Sequence, residues 1–76
     1  MTLYEYSLLP EHLKVEATWE GKFVSYRQLG SITIVLYKIE DFYVEGYYDF
    51  PDNRLLKLQP LPAENMAESR FDFNLN

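Results

Sequence analysis

Between positions 22 and 59 the chain reads as four apolar-rich segments separated by short polar breaks. Segments 22–29, 32–39, 42–50 and 54–59 are rich in Val, Ile, Tyr, Phe and Leu, residues that suit a pleated, half-buried surface. Each is bounded by turn chemistry. Gly30-Ser31 suits the two central positions of a type II′ hairpin, where Gly supplies the positive φ at the first. Glu40-Asp41 is a less favourable two-residue loop. Pro51-Asp52-Asn53 suits a three-residue loop, with Pro fixing φ, Asp closing a type I turn and Asn tolerating the left-handed region. Three short loops in succession predict antiparallel neighbours in sequence order, a four-stranded β-meander.

The loops also predict the register. With Glu40-Asp41 as the connection, Ile39 lies opposite Phe42, Tyr37 opposite Val44, Val35 opposite Gly46 and Thr33 opposite Tyr48, all on one face. The following loop places Leu56 opposite Tyr48 and Leu58 opposite Gly46, while the first hairpin adds Val24 and Tyr26. That face is the expected core. Gly46 is a gap in it, with room for a neighbouring aromatic ring or a close backbone approach. The second face carries Phe23, Leu29, Ile32, Ile34, Leu36, Tyr43 and Tyr47, interrupted by Arg27, Lys38, Glu45 and Asp49. It is too apolar to be left simply solvated.

The flanks are less regular. Pro10, acidic Glu11, a Leu9/Leu13 staple and Gly21 predict a helix over residues 9–20, with Leu9, Leu13 and Ala17 on one face. The same residues also alternate, Leu13, Val15, Ala17 and Trp19 against Lys14, Glu16, Thr18 and Glu20, which is the signature of a fifth strand. Downstream, 63–70 holds good helix formers, with Met66 and Phe71 as anchors, and the segment 61–76 is long enough to fold back over the second face. The expected class is α+β: a four-stranded antiparallel meander with an N-terminal helix or fifth strand and a short C-terminal helix, all one small domain over 1–76.

Composition narrows the function. At 76 residues the chain makes one core, and with 47% hydrophobic and 17% aromatic residues it is far too apolar for a disordered segment. It has no Cys, which excludes a disulfide staple or thiolate zinc site and fits a reducing, cytoplasmic setting. No stretch approaches the ~20 apolar residues of a membrane span, and a formal charge of −5 opposes nucleic-acid backbones and anionic lipid.

Candidate chemistry is sparse. The single His, His12, lies between Glu11 and Lys14 and reads as a surface residue, so no catalytic triad and no nitrogen-rich metal site can be built. Gly21, Gly30 and Gly46 are isolated, so no phosphate loop is present. No cofactor is expected. Glu45 and Asp49 share a strand and a face four residues apart; paired carboxylates do acid–base work when burial splits their pKa values, but on a strand they serve more often as solubilising charge.

The stretch Leu36-Tyr37, then Phe42-Tyr43-Val44-Glu45, then Tyr47-Tyr48, followed by Asn53 and alternating Leu, resembles a group of short bacterial proteins. These share an LY…FYVEV-x-Y core and an upstream segment ending in Trp, and have no assigned activity. The likeness covers roughly residues 13–58, and Gly46 departs from it where an apolar β-former is expected. It implies one compact unit and supplies no catalytic residue, cofactor or partner. The leading expectation is a non-catalytic interaction module that uses the second face, most simply as a homodimer. The alternatives are an acidic inhibitor whose run from Glu40 to Asp52 meets a basic site, and an enzyme using Glu45 and Asp49.

Overall fold

The computed structural model describes residues 1–63. In chain order the elements are α1 (Leu3–Ser7), α2 (Glu11–Glu20), β1 (Lys22–Leu29), β2 (Ile32–Ile39), β3 (Phe42–Asp49) and β4 (Arg54–Pro62). The four strands form one antiparallel sheet in the order β1-β2-β3-β4, which is the expected meander. The α+β class therefore holds. Residues 61 and 62 belong to β4, which runs past the expected end at 59. Residues 64–76, which hold all but the first residue of the expected short helix and the expected packing on the second face, lie outside the described residues.

Residues 11–20 form a helix and not a fifth strand. Pro10 stands at the N-cap with φ −62°, and its carbonyl accepts from the amides of Leu13 and Lys14 at 3.0 Å each. The alternation of Leu13 to Trp19 is overridden because the helical arrangement lets Leu9 and Ala17 pack against the buried cluster of Tyr6, Ile39, Phe42 and Val44. Gly21 ends the helix with φ −73°, an ordinary value, so its role is close approach. A Cβ there would lie 2.9 Å from the Lys38 carbonyl oxygen and 3.1 Å from that of Thr18.

The sequence reading missed α1, although its signal is present. Thr2 and Glu5 form a reciprocal capping box: the Glu5 amide donates to Thr2 Oγ1 at 3.1 Å and the Thr2 amide to Glu5 Oε1 at 2.8 Å. α1 delivers Tyr6, fully buried, edge-on to Phe42 with ring centroids 5.5 Å apart. The Thr18 hydroxyl donates to the Lys14 carbonyl at 2.7 Å, so its one proton is used and the Tyr6 hydroxyl donates to Thr18 at 2.8 Å. This bond ties α1 to α2 beneath the core.

The turns bear out much of the register. Gly30 takes φ +60° while Ser31 does not take positive φ, as a type II′ turn requires, and Asn53 takes φ +61°. Glu40 is the costly turn residue, a non-glycine at φ +54°. Ile39 pairs with Phe42, Tyr37 with Val44, Val35 with Gly46 and Thr33 with Tyr48, as expected.

Two bulges correct the rest. The last loop has four residues, since Asp49 pairs with Arg54; Tyr48 then faces Leu55, and Leu56 becomes the extra residue that restores Gly46 opposite Leu58. In β1 Val24 is the extra residue, so Phe23 pairs with Tyr37 and moves from the second face to the first. A one-residue insertion reverses the side of every residue beyond it.

The expected core face is also only half a core. The helices close over Ile39, Phe42 and Val44, while Val35, Tyr37 and Tyr48 are only partly buried and Tyr26 is exposed.

Gly21 and Gly30 are needed for different reasons, and substitution separates them. Gly21→Ala forces a methyl group against two backbone carbonyls and lowers stability by about 1–3 kcal/mol. Gly30→Asn has open space around it. Because Asn tolerates the left-handed region, this change moves stability by less than about 0.5 kcal/mol. Urea denaturation of the two variants checks the contrast; equal losses would contradict it.

Candidate functional site

The part of the first face that the helices leave open is aromatic. Cα pairing sets Gln28, Thr33, Tyr48 and Leu55 in one row, Tyr26, Val35, Gly46 and Leu58 in the next, and Phe23, Tyr37, Val44 and Pro60 in a third. Trp19, at the last turn of α2, stands beside these rows. Trp19, Phe23 and Tyr26 are 60%, 57% and 58% exposed. An open groove of ≈ 350 Å³ lies beside Trp19, lined by Trp19, Thr33, Val35, Tyr37, Tyr48 and Asn53; Phe23 and Tyr26 share the face but do not line it.

Gly46 makes this arrangement possible. The Tyr48 ring lies across it: a Cβ at position 46 would meet Tyr48 Cε1 at 3.0 Å and its hydroxyl oxygen at 3.3 Å. Laid over the glycine, the ring carries its hydroxyl toward Tyr37 Oη, 3.3 Å away, and accepts a hydrogen bond from Trp19 Nε1 at 3.0 Å. Three aromatic side chains are thus joined at their polar edges. Burial, reinforced by the neighbouring Tyr48 hydroxyl, raises the Tyr37 pKa well above its ordinary 10.0.

The second face is built differently. Ile34 and Leu36 keep only 3% and 4% exposure, so these two candidate interaction residues are core. Leu29 is exposed at the end of β1, and Ile32, Tyr43 and Tyr47 are partly buried. Phe23, expected here, is on the other face. Glu45 is 2% exposed; Arg27 Nη1 lies 3.3 Å from its Oε2, and the Tyr47 hydroxyl donates to its Oε1 at 3.1 Å. A buried carboxylate held in this way is an internal ion pair. Asp49 instead faces Arg54 at 3.4 Å, so Glu45 and Asp49 each have a separate cation and do not form a dyad. The cation–aromatic contacts lie here as well, with Lys57 Nζ 4.6 Å above the Tyr47 ring and Lys38 Nζ 5.8 Å above that of Tyr43.

Among the described residues no group of three or more His, Cys, Asp or Glu could hold a metal ion, and no helix is long and apolar enough to cross a membrane. No family model, curated protein or solved structure matches the chain. The site is therefore read from its geometry. Sequence reasoning placed Val35, Tyr37 and Tyr48 on one face and left room for an aromatic at Gly46. It did not find the groove, because Trp19 reaches it only if residues 11–20 are helical.

Two measurements test the aromatic lock. In Gly46→Val the new side chain displaces the Tyr48 ring and frees the indole. Trp19 is the chain's one Trp, so its fluorescence anisotropy falls while far-UV circular dichroism keeps the sheet signature; unchanged anisotropy would contradict the lock. Alkaline pH supplies the second. The unfolded chain ionises its tyrosines near 10.0 while partly buried Tyr37 and buried Tyr6, both raised, stay neutral, so stability declines as pH rises above 10.0. Tyr37→Phe removes one contributor, and its stability falls less steeply over that range in urea melts.

Proposed function

We propose that the protein is a small non-catalytic protein-interaction module whose docking surface is the open aromatic half of the first sheet face. The observation that carries this reading is that Trp19, Phe23 and Tyr26 stay more than half exposed on one continuous surface beside a groove. Large aromatics are the residues that interfaces enrich and that anchor them energetically. The hydrogen-bonded edges of Trp19, Tyr37 and Tyr48 hold part of that surface rigid before a partner arrives, which reduces the ordering cost of binding.

Acid–base catalysis has less support. Glu45 is engaged by Arg27 and Tyr47 inside the second face, and Asp49 by Arg54. Self-association through the second face also loses its motive, since Ile34 and Leu36 are buried. The cysteine-free composition supports a reducing, cytoplasmic setting.

A photo-reactive amino acid at position 26, compared with one at exposed Gln59 on the other face, tests the reading. Irradiation in native lysate is expected to join position 26 to a discrete protein, another chain or a second copy, and Trp19→Ala to abolish that product. Cross-linking from position 59 alone, or products at 26 indifferent to Trp19→Ala, would overturn it.

A further inference from the structure

Resting on that reading, we infer that the occupant of the aromatic groove is an extended segment of another protein that carries arginine. The basic residues of the sheet are segregated. Lys22 pairs with Lys38, Arg27 with Ile34, Lys57 with Tyr47 and Arg54 with Asp49, and all of these positions belong to the second face. Four of the five are already engaged there: Arg27 on Glu45, Arg54 on Asp49, Lys38 over Tyr43 and Lys57 over Tyr47. Lys22 and Lys38 also line a hollow beneath Gly21, together with Glu20. Of the other described cations, Lys14 sits 6.0 Å from the buried Tyr6 ring and the Met1 ammonium pairs with Glu40.

The first face has the aromatics without the cations. Among the described residues no Lys or Arg lies over Trp19, Phe23, Tyr26, Tyr37 or Tyr48. Near the groove in sequence stand two exposed acidic residues and one cation, Arg54, which follows the lining residue Asn53 and is held by Asp49. Glu16 precedes Trp19 by three residues on the exposed helix surface, and exposed Asp52 precedes the lining residue Asn53. The chain as a whole carries −5, so an acidic partner and a second copy are both repelled, while a cationic segment is attracted.

Electron-rich ring faces over which no described Lys or Arg lies, in a chain of net charge −5, are complementary to an incoming cation. Arginine fits better than lysine, because its planar guanidinium stacks on Trp and Tyr rings and is more weakly hydrated. The groove lies open along the sheet surface with Val35 and Thr33 among its lining, a shape that takes an extended chain, and Asn53 and Thr33 offer it polar groups.

The test uses the full chain and three acetylated, amidated octapeptides: alternating Arg-Pro, and its Gln-Pro and Glu-Pro counterparts. Proline keeps each extended. Trp19 emission reports occupancy, and amide chemical shifts report its location. The Arg-Pro peptide is expected to change the emission saturably and to bind roughly tenfold tighter than Gln-Pro, as one or two cation–π contacts give. Its affinity is expected to fall several-fold as salt rises from about 0.05 to 0.5 M. Tyr26→Ala should weaken the Arg-Pro peptide more than the Gln-Pro one.

Equal, salt-insensitive binding of Arg-Pro and Gln-Pro would overturn the cationic occupant and leave the docking surface standing. Shifts confined to the second face would overturn it too, as would no binding by any peptide. A homotypic cross-link through position 26 would replace it with a second copy. The docking surface itself fails only if position 26 gives no Trp19-dependent product.

Discussion

The length of α2 is the constraint on which the rest of the structure depends. Pro10 and Gly21 bracket ten helical residues, a rod of about 15 Å. The strands beneath it run eight or nine residues, about 27 Å or more. A helix of that length, held at one end by the Tyr6–Thr18 bond, covers one end of a sheet face and no more. Ile39, Phe42 and Val44 become core, whereas Tyr26, Val35 and Tyr37 remain on a surface that one more turn of helix would have begun to close.

The two bulges give that surface its composition. Without the extra residue at Val24, Phe23 would sit among Lys38 and Arg27 on the second face; with it, Phe23 joins Tyr37 and Tyr26. Lys22, beyond the same bulge, is turned the other way to pair with Lys38. The inserted residue therefore decides which of these two sequence neighbours takes which face: the aromatic goes to the open face and the cation to the other. Leu56 does the converse in β4, restoring the expected pairing of Leu58 with Gly46 after a loop one residue longer than anticipated. Both outer strands also carry devices that discourage pairing with another sheet. β1 has its bulge, and β4 has Pro60 and Pro62, which pair with Val44 and Phe42 only if the edge side is where the amide donors are missing.

Much of the meander was legible because its signals are local. Gly30 and Asn53 take the positive φ their residue types favour, and the two-residue Glu40-Asp41 connection sets the register of β2 against β3. Thr2 and Glu5 are equally legible as a capping box, although the helix they start has only five residues. The bulges were not legible, since Val24 and Leu56 are ordinary strand residues and a bulge is decided by how the partner strand fits. Nor was the division of the first face into covered and open halves, which depends on where α2 lands. Alternation correctly assigns Ile34 and Leu36 to the second face but does not report their burial, because it gives a residue's side and not its contacts.

Gly46 shows how a local weakness serves the site. A glycine in a central strand gives up side-chain packing and costs about 0.5–1 kcal/mol in backbone entropy. Here it is repaid in position, because any side chain would occupy the space in which the Tyr48 ring lies. That ring reaches both Trp19 and Tyr37 only from there, so the glycine sets the geometry of three aromatics drawn from α2, β2 and β3. A groove assembled from separate elements would ordinarily be loose. Joined at their hydroxyl and indole edges, these rings are held in one arrangement, so a partner meets a surface already ordered.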